Sequence, residues 1–287
     1  MTCPAHTASS VHPSAASTPL PVTGVDSHAH VFSRNLPLTE GRRYSPDYDA
    51  LIDDFLGHLD RHGLSHGVLV QPSFLGTDNS YMLAAMAQHR ARLRGVVVID
   101  RDMAEAELDC LSAAGVVGAR LNLIGKDVED YDAPRWQQFF QRLAQRHWHI
   151  EIHRHIDDIH QFLPAILASG VQVVIDHFGR PQAGIQRDNP QHQAFLDLLA
   201  SQQIWIKLSA SYRNHADVAQ AITMLDLLRD ACGGSQRFLW GSDWPHTQFE
   251  DQTGYDQQFS IMEQVITDGE ERKKVLVDNP TALFKLA

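Results

Sequence analysis

The stretch Val25-Asp26-Ser27-His28-Ala29-His30 decides how this chain is read. An apolar lead-in runs into Asp-x-His-x-His, and because side chains on a strand alternate with period two, His28 and His30 point to the same side. Two neutral imidazoles at the end of a buried strand pack poorly, since each ring leaves a nitrogen to satisfy. They suit a shared divalent cation. The plainer reading of His-x-His is a hydrogen-bonded pair in a loop, and the rest of the chain has to decide between the two.

Working outward, short apolar runs rich in β-branched residues recur after Gly24: Val25 to Phe32, Gly67 to Gln71, Gly95 to Ile99, Val117 to Leu123, His149 to His153, Val171 to Asp176, Ile204 to Leu208 and Phe238 to Trp240. They read as strands covered on both faces. Amphipathic segments separate them. Leu51, Ile52, Phe55, Leu56 and Leu59 repeat at helical spacing and stop at Gly63. Pro134 suits the first turn of a helix through Trp136, Phe139, Phe140 and Leu143. Pro164 predicts a break or late start after the fifth strand. Asn279 before Pro280 predicts a cap opening a last helix, Thr281 to Leu286. Eight strands alternating with helices predict an α/β fold, a single (β/α)8 TIM-type barrel over residues 24–287.

Residues 1–23 are rich in Ala, Ser, Thr and Pro, lack the basic start and apolar core of a signal peptide, and predict a disordered leader. The 287 residues, 43% hydrophobic, are enough for one barrel core. A net charge of -11 argues against a nucleic-acid partner. No apolar run approaches the length of a membrane span. Cys3, Cys110 and Cys232 are odd in number and far apart, which predicts reduced thiols in a cytoplasmic protein. The sequence leaves an oligomer open.

In such a barrel, functional groups collect at the carboxyl ends of the strands. The predicted strands end consistently in reactive or polar residues: His28 and His30 on the first, Ser73 after the second, Arg120 on the fourth, His153 on the fifth, Asp176-His177 on the sixth, Ser209 and Arg213 after the seventh, Asp243 after the eighth. Each has an ordinary structural explanation, such as an ion pair for Arg120 or a turn cap for Asp243. Their arrival at one rim favours a site. With 17 histidines in the chain, position must decide; His58, His62, His66, His89, His147, His149 and His160 fall on helices or the opposite rim and read as structural.

These residues resemble the amidohydrolase superfamily, and within it the lactonase branch typified by 2-pyrone-4,6-dicarboxylate lactonases. The matching pieces are Val25-Asp26-Ser27-His28-Ala29-His30, Gln71-Pro72-Ser73 with Gly76-Thr77-Asp78-Asn79, Gly118-Ala119-Arg120-Leu121-Asn122, Asp176-His177-Phe178-Gly179-Arg180-Pro181, Gly241-Ser242-Asp243-Trp244-Pro245-His246 and Asp278-Asn279-Pro280. The resemblance implies that Asp243 takes a proton from an attacking water while His28, His30 and His177 surround the carbonyl. It implies that Arg120 grips a substrate carboxylate, with Lys126, Arg180 and Arg213 as further cations and Tyr44 and Ser73 as hydrogen-bond donors.

Two departures stand out. Lys126 occupies a position where a second arginine is expected. His153 stands where metal-binding amidohydrolases carry a ligand, so His28, His30, His153 and Asp243 form a set suited to zinc or manganese, against a metal-free alternative typical of the pyrone lactonases. The expected reaction is opening of a small anionic, carboxylated lactone. The alternatives are a sugar-acid lactonase or lactone isomerase, an aromatic-acid decarboxylase, and a non-catalytic carboxylate-binding protein.

Overall fold

The computed structural model describes residues 20–182, 184–201 and 203–286. Eight parallel strands, β1 Val25–Ala29, β2 His66–Val70, β3 Leu93–Val97, β4 Val116–Asn122, β5 His149–His153, β6 Gln172–Ile175, β7 Ile204–Leu208 and β8 Phe238–Trp240, pair in sequence order. Helices fill the connections, so the chain is the expected (β/α)8 barrel. Closure between first and last strands falls just past their ends. Ala29 bridges Trp244, the Asp243 N–H donates to the His28 carbonyl at 2.9 Å, and the His30 N–H donates to the Trp244 carbonyl at 2.8 Å.

Alternation along each strand sorts the side chains into two populations. On β5, Ile150 and Ile152 face outward into the apolar core under the helices, while His149, Glu151 and His153 face the barrel interior. On β4, Gly118, Arg120 and Asn122 lie opposite those three in register. Gly118 is needed there because the His149 ring lies within 2.6 Å of where a Cβ would stand. A separate apolar cluster that includes Val25, Val68, Val174 and Leu239 fills the barrel beside Leu283 and Phe284 of the last helix.

The helices follow the apolar spacing. Ile52–Arg61 buries Phe55, Leu56 and Leu59, and the left-handed Gly63 (φ +68°) turns the chain after it. Pro134–Gln145 starts on its proline and buries Trp136, Phe139, Phe140 and Leu143, each side chain contributing ~1.5–3 kcal/mol. After β5 the helix is broken into Ile156–Ile159 and Leu163–Ala168, with Pro164 in the first turn of the second piece.

The last helix corrects one expectation. It spans Asn279–Phe284, and Asn279 caps nothing: its amide donates to the carbonyls of Ser235 (2.7 Å) and Phe238 (2.8 Å), tying the helix to β8. Residues 1–19 of the expected leader lie outside the described residues. By Thr23 the chain is anchored, through its N–H to Ser65 Oγ (2.9 Å) and its hydroxyl to the Gly63 carbonyl (2.7 Å). No helix among the described residues is long and apolar enough to cross a membrane.

The closing seam has no room for a side chain at Gly241, where a Cβ would lie 2.6 Å from His28 Cβ and 2.8 Å from the His28 nitrogen. Gly241→Ala is expected to lower the unfolding free energy by about 1–3 kcal/mol, read by urea denaturation. An unchanged midpoint would show that the seam is looser than described.

Candidate active site

The seam that closes the barrel also positions the first functional group. Asp243, three residues past β8, has a left-handed backbone (φ 61°), as do His177 past β6 (φ 54°) and Ala210 past β7 (φ 49°). Left-handed non-glycine residues past three successive strands at one rim mark a place where tertiary contacts impose the backbone. For Asp243 the imposing contact is its N–H on the His28 carbonyl.

The side chain of Asp243 divides its two oxygens between different tasks. Oδ2 accepts from the Tyr212 hydroxyl at 2.5 Å and from Arg213 Nε at 2.6 Å. Oδ1 faces three imidazoles: His28 Nε2 and His30 Nε2 at 3.7 Å each and His177 Nε2 at 3.9 Å. Those gaps are too long for hydrogen bonds, and His28 Nε2 is buried without a partner. The unmet groups converge on one point.

Beneath this point lies a buried layer of charge inside the barrel. Arg120 donates to Asp176 Oδ2 at 3.0 Å and approaches Glu151 Oε1 at 3.6 Å. Lys207 Nζ donates to Glu151, lies 3.5 Å from Asp176 Oδ1 and contacts His28 Nδ1 at 2.9 Å. Burial raises the pKa of both carboxyls, but the Lys207 ammonium and its neighbours outweigh this and hold Asp176 well below, and Glu151 below, the usual range. Asp243 behaves alike: burial pushes it up, yet the Arg213 guanidinium and the imidazoles keep it well below. Burial pushes His28 down to about 4, with Lys207 adding to the effect.

Above the layer opens a cleft of about 530 Å³, its solvent-open mouth included. Four guanidinium groups reach it, from Arg43, Arg120, Arg180 and Arg213. Arg120 and Arg213 face carboxylates, as above. Arg43 donates to Asn122 Oδ1 (3.3 Å) and Arg180 to His153 Nε2 (3.2 Å), and among the described residues neither has a carboxylate partner. Burial lowers Arg180 to about 10, and repulsion from Arg213 works in the same direction. Counting Arg120 and Lys207 against Glu151 and Asp176, and Arg213 against Asp243, Arg43 and Arg180 remain as two uncompensated positive charges.

Of the residues singled out from sequence, His30, Tyr44, Ser73, Arg120, His153, His177, Arg180, Arg213 and Asp243 line this cavity, and His28 lies at its floor, with Nε2 3.7 Å from Asp243 Oδ1. Tyr44 is engaged, donating to Glu250 at 2.6 Å. Lys126 is exposed and outside the lining. It follows a left-handed Gly125 (φ 72°) in a turn whose carbonyl oxygens are gathered by Arg154. Arg43, next to Tyr44, reaches the cavity instead. Arg43, Glu151, Lys207 and Tyr212 are the residues missed. Glu151 and Lys207 were visible as charges in the middle of apolar strands, at positions whose period points inward.

Side chains able to hold a divalent ion are present. The ligand atoms of His28, His30 and Asp243, and those of His28, Asp176 and His177, lie within 4.8 Å of one another. Both sets include His28. His153 belongs to neither, and its two nitrogens face Arg120 (3.4 Å) and Arg180 (3.2 Å), cations that compete with a metal.

Groups drawn from seven of the eight strands thus meet at one mouth, where a carboxylate, imidazoles and guanidiniums surround space for a carbonyl and a water; this is a barrel hydrolase in design. The chain belongs to the amidohydrolase family, which it matches over residues 25–286. It is 30% identical over 278 residues to the 2-pyrone-4,6-dicarboxylate hydrolase of Comamonas testosteroni, covering 92% of this chain and 91% of the relative. It is 30% identical over 274 residues, with the same coverage, to the 4-sulfomuconolactone hydrolase of Rhizobium radiobacter. Among solved structures, the probable 2-pyrone-4,6-dicarboxylic acid hydrolase of Acinetobacter baumannii with citric acid bound superposes with a TM-score of 0.88 at 40% identity, covering 91% of this chain and 99% of that one.

The seam also holds Asp26, whose Oδ1 accepts from the N–H groups of Ser242 (2.9 Å) and His28 (3.1 Å). Burial raises its pKa from 3.8 to about 6. The folded state therefore keeps an extra proton between those values, so the contribution of Asp26 to stability is full below pH 3.8 and is lost as pH rises through 6. Asp26→Asn retains the accepting oxygen and cannot ionise. Relative to the parent, its stability should rise by on the order of 2 kcal/mol between pH 4 and pH 7. Denaturation curves at the two pH values that differ by a constant amount would contradict the assignment.

Proposed function

We propose that this protein hydrolyses a small lactone carrying two anionic groups, of the 2-pyrone-4,6-dicarboxylate type, with Asp243 as the general base. The observation that carries the reading is the convergence of three imidazole nitrogens on Asp243 Oδ1 beside two guanidiniums that lack a carboxylate. Similarity over nine-tenths of the chain to two hydrolases of anionic lactones supports it. So does a structural neighbour that holds citric acid.

The chain's own groups account for each step. Arg120, Arg180 and Arg43 take the substrate carboxylates, with Ser73 and Tyr44 at the edge. Water adds to the lactone carbonyl carbon and its proton passes to Asp243 Oδ1. Negative charge grows on the carbonyl oxygen, where imidazole N–H groups stabilise it. The ring C–O bond then breaks, Asp243 returns the proton to the departing oxygen, and the product is an open-chain acid with one new carboxylate. The negative charge of a bound dicarboxylate raises the proton affinity of Asp243, which the Arg213 guanidinium otherwise holds well below the usual carboxylate range.

The metal-dependent version would place zinc or manganese on His28, His30 and Asp243, with His153 as a fourth ligand. The guanidiniums against His153 and the ammonium against His28 favour the metal-free version. The class of substrate fits the breakdown of aromatic rings, and three dispersed cysteines fit a reducing cytoplasm.

Ring opening across a panel of lactones tests the reading. Dicarboxylated rings should be the best substrates; preference for polyhydroxylated rings, or rearrangement without hydrolysis, would favour the sugar-acid lactonase or the isomerase instead. Asp243→Asn should lower kcat by about 10²–10⁴-fold and leave binding of a dicarboxylate intact, as measured calorimetrically. Arg43→Ala should raise KM about tenfold for a dicarboxylated lactone and little for a monocarboxylated one. Equal effects on the two substrates would remove Arg43 from the site.

A further inference from the structure

The buried layer contains a lysine that the reaction itself does not use. Lys207 lies on β7, fully buried, and cannot reach the cavity past the ring of His28. Four groups face the Nδ1 edge of that ring or the lysine beside it: Lys207 Nζ at 2.9 Å, Glu151 Oε1 at 3.4 Å, Asp176 Oδ1 at 3.4 Å, and Arg120 behind the two acids. The far edge, Nε2, faces Asp243.

An ammonium donates hydrogen bonds and accepts none. At 2.9 Å it can bond to Nδ1 only where that nitrogen carries a lone pair; a proton there would set two donors against each other. The carboxylates that could accept such a proton are half an ångström further away. We infer that Lys207 is a positioning residue that fixes His28 with its single proton on Nε2, so that the ring turns a donor toward the reacting carbonyl and cannot serve as a metal ligand.

His30 is set the opposite way. Its Nδ1 lies 2.7 Å from the Val70 carbonyl, which can only accept, so Nδ1 carries a proton and the neutral ring shows its Nε2 lone pair to the cavity. The His-x-His pair therefore offers one donor and one acceptor. A divalent ion would need lone pairs from both rings. Since both candidate ligand sets pass through His28, the same lysine weakens both. On one edge a cation already occupies the position; on the other a proton does.

The statement about the carbonyl rests on the hydrolytic reading, whereas the tautomer does not. Nitrogen-15 NMR of the full chain with labelled histidine, recorded at pH 7 without substrate and assigned with His28→Gln, reads the tautomer directly. His28 should show a protonated Nε2 and a bare Nδ1, and His30 the reverse; a bare Nε2 on His28 overturns the inference. Addition of zinc should leave both resonance pairs in place. One equivalent of zinc that perturbs the Nε2 resonances of His28 and His30 together also overturns it.

Lys207→Met alone leaves two buried carboxylates short of a cation and risks the fold, so Lys207→Met with Glu151→Gln is the charge-matched variant. There the His28 proton should move to Nδ1, facing Asp176, and zinc affinity by calorimetry should rise at least tenfold. Against a dicarboxylated lactone, kcat should fall about 100-fold with KM little changed, while Lys207→Arg, which keeps a donor, should retain the parent tautomer. A double variant with the parent tautomer denies Lys207 its role. A parent protein with the expected tautomer that opens no carboxylated lactone would sink the hydrolytic reading alone.

Discussion

Two main-chain hydrogen bonds, from Asp243 to the His28 carbonyl and from His30 to the Trp244 carbonyl, close the barrel and align its chemistry at once. In most barrels the strands are fixed first and the loops then carry functional groups into place. Here the residues proposed to carry the chemistry are themselves the rungs between first and last strands. Backbone pairing thus brings the proposed base beside two of its imidazoles, and Tyr212 and Arg213 hold its carboxylate in place. The absence of a side chain at Gly241 allows that approach. Asp26 ties the same seam from beneath by accepting from both strands' backbone.

Inside this ring the protein keeps charges that cost free energy to bury. Arg120, Lys207, Glu151 and Asp176 neutralise one another, and such a network is seldom more stable than a well-packed apolar core. What it supplies is orientation: the Nδ1 edge of His28 is held by Lys207, and its Nε2 is left facing Asp243 without a hydrogen-bond partner. The pairing also accounts for why an acidic protein presents a cationic mouth. The acids in the layer are consumed by the cations beneath, and Arg43 and Arg180 are left to face whatever anion enters. Surface charge of the opposite sign does not cancel a field focused by a low-dielectric cavity.

Much of this was legible in the sequence, for a physical reason. Strands covered on both faces must be apolar and β-branched, so all eight stood out, and groups at their carboxyl ends had only one rim to occupy. What escaped notice depended on tertiary reach. Lys126 and Arg43 are both cations in loops, and only the path of the chain after β1 and β4 decides that Arg43 meets the cavity while Lys126 faces solvent. Glu151 and Lys207 were overlooked because each is a single charge within an apolar strand, and attention went to strand ends. Asn279 had the residue type of a helix cap, but two carbonyls near β8 claimed its amide.

If one mouth holds an anionic lactone with its carbonyl between His28 and Asp243, a crystal structure of Asp243→Asn with uncleaved 2-pyrone-4,6-dicarboxylate shows it most directly. The carbonyl oxygen should lie within hydrogen-bond reach of His28 Nε2 and the two carboxylates on Arg120, Arg180 and Arg43. A ligand lodged elsewhere, or turned so that its carbonyl points away from the imidazoles, would contradict it.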